Sequence, residues 1–109
     1  MPKFIGIIEN EKFKGIAVEY IEGDMLNQIP KMNLLLEDKI RIIFQIMIFI
    51  EYIHNNHFIY RDLKPNNIMI DANKTAIMID FDRMILNADA NSDTKVSTLD
   101  FSHFYVAPE

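Results

Sequence analysis

Short apolar runs broken by charge open the chain. Residues 3–8 (KFIGII) and 15–21 (GIAVEYI) are rich in β-branched and aromatic side chains and flank the charged stretch ENEKFK. That pattern predicts two antiparallel strands. Glu22-Gly23-Asp24 breaks it, and a short helical turn is predicted over 25–28, ended near Pro30. Residues 36–55 read LEDKIRIIFQIMIFIEYIHN, with acids in the first turn and Asn55-Asn56 as the stop. Ile and Phe are moderate helix formers, so length decides: a strand of that extent is improbable, and a helix is predicted. Its near-continuous apolar content predicts burial on most faces. Three strand-length apolar runs follow at 57–60, 68–70 and 75–79, the last two joined by a hairpin loop, Asp71-Ala72-Asn73-Lys74. From 83 to 102 the chain turns polar and loses periodicity, which predicts a mobile loop.

Composition narrows the class. A chain of 109 residues is one domain or part of one, and 50% hydrophobic with 25% charged residues reads as globular. A formal net charge of −5 argues against a general nucleic-acid binder. With no cysteine, disulfides and Cys-based zinc sites are excluded, and a reducing compartment is compatible. The first residues show no continuous apolar run with a cleavage site, so no secretory signal is read, and an intracellular, cytoplasmic location is expected. The most hydrophobic stretch, 40–53, contains Arg41, Gln45 and Glu51 and is too short to span a bilayer, so no membrane segment is expected.

The chemistry-bearing residues lie between Tyr60 and Asp82. They read Tyr60-Arg61-Asp62-Leu63-Lys64-Pro65-Asn66-Asn67, then an apolar strand, then Asp80-Phe81-Asp82. Ala107-Pro108-Glu109 follows. Taken singly, each piece is ordinary: an Arg-Asp pair in a loop, an Asn turn after Pro65. Asp80 stands out, because a carboxylate ending a buried strand is costly unless paired or bound to a metal.

The order and spacing of the three motifs resemble the protein kinases: the catalytic loop H-R-D-L-K-P-x-N, the metal motif D-F-G and the A-P-E that ends the activation segment. The resemblance implies an α+β protein-kinase-like fold. These residues would be a part of it, from the last N-lobe strands and hinge (1–24) through the start of the helical C-lobe, catalytic loop and activation segment (25–109). It implies transfer of the γ-phosphoryl group of ATP, with Mg²⁺, to a hydroxyl of a protein substrate. Asp62 would be the catalytic base, and Lys64 a point positive charge near the γ-phosphate. Asn67 and Asp80 would be the oxygen ligands of Mg²⁺. Residues 16–24 resemble the fifth strand and hinge. Val18 would be the gatekeeper, Glu19 and Ile21 would offer backbone groups to adenine, Asp24 would reach the ribose, and Met69 would form the apolar floor.

Lys64 within R-D-L-K-P points to the serine/threonine branch, and Ser102 falls where that branch often carries a Thr that contacts the Asp and Lys. Arg61 beside Asp62 implies control by phosphorylation of the activation loop, with Thr94, Ser97 and Thr98 as acceptors. Tyr60 and Asp82 stand where the family usually has His and Gly. Glycine there allows backbone conformations that Asp resists less than most residues. No glycine-rich loop or V-A-I-K lysine precedes the hinge, so the isolated segment is expected to be inactive and its apolar helix to lack packing partners. The rival expectation is a catalytically inactive pseudokinase or scaffold module.

Overall fold

The structure is a computed structural model that describes residues 1–31 and 33–87. Strands β1 (Phe4–Asn10) and β2 (Phe13–Val18) form an antiparallel hairpin. Its turn is made by a side chain: Asn10 Oδ1 accepts the backbone N–H groups of Lys12 and Phe13, both at 2.9 Å. An Asn that bonds its own following backbone fixes a tight reversal. The first strand therefore runs on to Asn10, two residues past its expected end. The second stops at Val18 because Val18 pairs with Phe4, where its partner runs out.

β3 (Gly23–Met25) lies where the sequence reading placed a break. It pairs antiparallel with β5 (Ile68–Asp71), which pairs with β6 (Ala76–Met78), giving a sheet of order β3-β5-β6. Gly23 is in this strand because the chains approach closely there: a Cβ would meet the Ile70 carbonyl oxygen. A 3-10 turn follows at Leu26–Lys31, later and longer than the helical turn expected over 25–28.

Helix α1 (Leu36–Asn55) has the predicted bounds. Glu37 and Asp38 occupy its first turn, favourable against the positive end of the helix dipole. Asn56 stops it with its backbone N–H on the Tyr52 and Ile53 carbonyls and its side chain on the Tyr52 carbonyl, after which His57 turns left-handed at φ 62°. Burial differs from expectation. Ile42 and Ile53 are buried, and Ile46, Phe49 and Ile50 pack against the core, a single stripe at helical spacing. Ile40, Ile43, Phe44, Met47 and Ile48 are exposed. The apolar content is continuous around the helix, but the described elements cover one face.

The core consists of Leu34, Ile42, Ile53, Tyr60, Ile68, Ile70 and Met78. Along β5 the side chains alternate: Ile68 and Ile70 are buried, while Met69 and Asp71 face the other way and are half-buried. Each fully buried Ile contributes about 1.5–3 kcal/mol relative to exposure. Gln45 ties helix to sheet, its Oε1 accepting the Ala76 N–H at 2.7 Å. The β5–β6 loop is closed by Asp71 Oδ1, which accepts the N–H groups of Asn73 and Thr75 at 2.9 and 2.8 Å. β4 (Phe58–Ile59) pairs with β7 (Ile85–Leu86), so the stretch read as an irregular loop begins with a turn and a strand. No helix among the described residues is long and apolar enough to cross a membrane.

Candidate active site

The segment after β4 carries the first group of candidate residues on a path fixed at both ends. Tyr60 is 2% exposed, its ring edge-on to Phe49 and Phe81 at 6.2 and 5.8 Å between centroids. Arg61 follows with φ 65°, a left-handed conformation that costs a residue of its size about 1–2 kcal/mol. Its Nε–H donates to the Arg83 carbonyl at 2.7 Å, which helps hold that conformation. Pro65 presets the first residue of a one-turn 3-10 helix, Pro65–Asn67, closed by the Asn67 N–H on the Lys64 carbonyl at 3.0 Å.

This turn swings Lys64 and Asn67 back onto Asp62. The carboxylate of Asp62 is 2% exposed, and its Oδ2 accepts from Lys64 Nζ at 2.7 Å and from Asn67 Nδ2 at 2.9 Å. Asn67 Nδ2 also donates to the Asp62 carbonyl at 3.0 Å. The amide nitrogen of Asn67 thus bonds Asp62 at both its backbone and its side chain. A buried carboxylate is tolerable only when paired and bonded in this manner. Lys64, read from the sequence as a charge for the γ-phosphate, here rests on Asp62.

Asp80 follows β6 one residue after its sheet-edge anchor. The Ile79 N–H donates to the Asn67 carbonyl at 2.9 Å, and the Ile79 carbonyl accepts from the Tyr60 hydroxyl at 2.5 Å. Asp80 itself is left-handed, φ 64°, a conformation Asp tolerates better than most residues. The expectation of a carboxylate at the end of a buried strand is corrected: Asp80 is exposed. Its pKa is nevertheless raised, first by a hydrogen bond with the Asp82 carboxyl, then by partial desolvation and the Asp82 charge. The Tyr60 phenol is pushed up by burial and then by the charges of Asp80 and Asp62, so it stays a protonated donor.

The hinge residues form a second group. Val18 ends β2 half-exposed. The Glu19 N–H is taken by the Lys3 carbonyl at 2.7 Å, and its carboxylate accepts the Lys3 N–H at 3.2 Å. The backbone group that Glu19 offers a ligand is therefore its carbonyl. Asp24 pairs with Ile70, and Met25 with Met69. Paired residues share a face, so the structure puts Met25, not Asp24, on the side of Met69. Asp62, Lys64 and Asn67 are joined by direct bonds, and Asp80 reaches them through Ile79. Thr94, Ser97, Thr98, Ser102 and Ala107-Pro108-Glu109 lie outside the described residues.

Three contributors escaped the sequence reading: the Tyr60 hydroxyl, the Arg61–Arg83 bond and Gln45. Only Gln45 carried a signal, as a lone amide in an apolar helix.

Hard oxygen donors fit Mg²⁺: one carboxylate on Asp80, made costly by its neighbour Asp82, and one amide oxygen on Asn67. No group of three or more His, Cys, Asp or Glu able to hold a metal occurs among the described residues. A cation here would share its shell with ligand phosphates, as Mg²⁺ commonly does.

Residues 2–109 match the family described as protein kinase domain. The chain is 35% identical over 85 residues to the serine/threonine-protein kinase OXI1 of Arabidopsis thaliana, covering 74% of this chain and 20% of that protein. It is 33% identical over 96 residues to the ovarian-specific serine/threonine-protein kinase Lok of Drosophila melanogaster, covering 86% and 20%. It is 34% identical over 95 residues to the SNF1-like protein kinase ssp2 of Schizosaccharomyces pombe, covering 86% and 16%. The chain thus spans about a fifth of the length of these relatives. With the catalytic-loop cluster and the Asp80 turn in one structure, and the match running over nearly every residue, the chain belongs to the protein kinase domain family.

Proposed function

We propose that these residues serve a serine/threonine protein kinase that transfers the γ-phosphoryl group of ATP to a protein hydroxyl. The observation that carries this is the buried Asp62, fixed by Lys64 and Asn67. A carboxylate held in place by these donors is oriented for its reaction without reorganisation. The substrate hydroxyl oxygen forms a bond to the γ-phosphorus, its proton passes to Asp62, and the bond to the β,γ-bridging oxygen breaks to release ADP. Lys64, resting on Asp62, would also supply positive charge beside the phosphoryl oxygens. Asn67 and Asp80 would hold Mg²⁺, whose chemistry is to offset phosphate charge. The Glu19 carbonyl and the Ile21 N–H would meet the adenine edge, with Val18 behind the ring and Met69 beneath it. Asp24 would have to reach the ribose from the Ile70 side of β3.

The test is phosphoryl transfer by the full-length protein to a serine/threonine peptide library. Asp62→Asn is expected to lower kcat by roughly 100- to 10,000-fold, the usual span for a general base. Unchanged kcat would sink the assignment. One observation favours a second reading, a catalytically silent nucleotide-binding or scaffold protein. Asp82 sets a carboxyl against Asp80, which disfavours the ionised form a metal needs. Under that reading Asp62→Ala leaves the protein's cellular role intact.

A further inference from the structure

Phe81 faces inward and its two neighbours face outward. The Phe81 ring packs against Phe49 and Tyr60, at 6.1 and 5.8 Å between centroids, and the Met84 N–H closes a turn on the Phe81 carbonyl at 3.1 Å. Asp80 and Asp82, on either side of that anchor, are both exposed. Their carboxyls nevertheless meet. The Asp80 carboxyl is hydrogen-bonded to the Asp82 carboxyl and takes the Asp82 backbone N–H as well. Side chains that could part into water are kept together by the backbone of the turn. Among the described residues neither carboxyl has a basic partner at ion-pair distance. Like charges so placed repel unless a cation offsets them.

We propose that Asp82 is a further ligand of the divalent cation, joining Asp80 and Asn67, and that the paired carboxylates let the site take the metal before the nucleotide arrives. The donor chemistry sets the difference. Asp80 and Asn67 alone bring a single negative charge, and Mg²⁺ held by so few protein groups depends on substrate phosphates. Asp82 doubles that charge and adds a hard oxygen beside the first. Affinity for a hard divalent cation is tuned by the number of charged oxygen ligands. Asp82 stands where kinases usually carry glycine, so the added ligand is a property of this chain rather than of its family. The carboxyl that weighs against Asp80 without a cation works with it once a cation is bound.

The inference rests on the kinase reading above, and its readout is metal binding rather than activity. Calorimetry of the full-length protein without nucleotide uses Mn²⁺, a cation suited to the same oxygen donors. The unmodified protein is expected to bind it. Asp82→Asn keeps the shape and removes the charge, and should bind Mn²⁺ at least about 10-fold more weakly, the lower end of what loss of a metal's supporting group costs. Asp82→Gly should weaken binding as far, and serves as the second variant if the Asn protein folds poorly. Adenosine, measured without metal, should bind the unmodified protein and the variants alike, which tells loss of a ligand from loss of the fold. Mn²⁺ affinity unchanged or raised in the variants overturns the role, because Asp82 would then only compete with the cation for Asp80. Mn²⁺ taken up only together with a non-hydrolysable ATP analogue also overturns it, and the kinase reading survives that outcome. If the unmodified protein binds neither adenosine nor Mn²⁺ with the analogue, the kinase reading fails and this inference with it.

Discussion

Asn67→Ala removes the two bonds that its amide donates to Asp62. The Asp62 carboxylate, 2% exposed, loses a charge-assisted bond at 2.9 Å, and its carbonyl loses one at 3.0 Å. A hydrogen bond to a charged group is worth about 1.5–3 kcal/mol and a neutral one about 1 kcal/mol. Asp62 keeps Lys64, so the carboxylate is not orphaned, and the expected destabilisation is about 3 kcal/mol. The assay is urea unfolding of the full-length protein without metal or nucleotide, so that ligand binding by Asn67 plays no part. With m of about 1–3 kcal/mol/M, the midpoint should fall by on the order of 1–3 M. Asn67→Asp is the informative companion. It keeps the shape but sets a second carboxylate on Asp62, so it should be unstable near neutral pH and recover as one of the two is protonated on acidification. A midpoint shift under about 0.3 M for the Ala variant would mean that Asp62 does not depend on this amide.

Further outcomes follow from the backbone and from the acidic turn. Gly23→Ala drives a Cβ into the Ile70 backbone and should cost roughly 1–3 kcal/mol. Gly15→Ala meets only the movable end of the Phe13 ring and should cost under about 0.5 kcal/mol, so comparable thermal melts for the two would contradict the close-approach argument. Asp80→Ala should be less stable than Asp80→Asn by about 1 kcal/mol, since Asn tolerates the left-handed φ and both lose the charge. Asp82→Ala removes the first cause of the raised Asp80 pKa, so carboxyl NMR should show Asp80 titrating lower. The sign for stability is set by the same shift. A carboxyl raised on folding is fully compatible with the fold below its unfolded pKa and works against it as pH rises through the folded one. Stability of the unmodified protein should therefore decline over that window more than that of Asp82→Ala.

Much of this architecture was readable in order. The helix at 36–55 was legible because nothing but a helix accommodates so long an apolar run, and the catalytic loop because its residue types occur at fixed offsets. What escaped depended on partners distant in sequence. Ile85–Leu86 is too short for periodicity and is a strand only because Phe58–Ile59 lies beside it. Gly23 looked like a breaker, although a lone glycine equally marks a close approach of two strands. Asp80 looked buried because β6 is apolar, yet its left-handed φ turns the chain out of the sheet at that residue. Single-stripe burial of α1 could not be inferred from a sequence apolar on every face, since composition does not say which faces find neighbours.

The doubly held Ile79 peptide also bears on how freely the sequence can drift. What Ile79 gives the site is an N–H and a carbonyl, and every amino acid but one carries both. Its half-buried side chain can be exchanged among apolar types with the catalytic loop still gripping the same atoms. Proline alone is barred, having no hydrogen for the Asn67 carbonyl. A stretch that reads as variable in letters can thus be invariant in the atoms that matter.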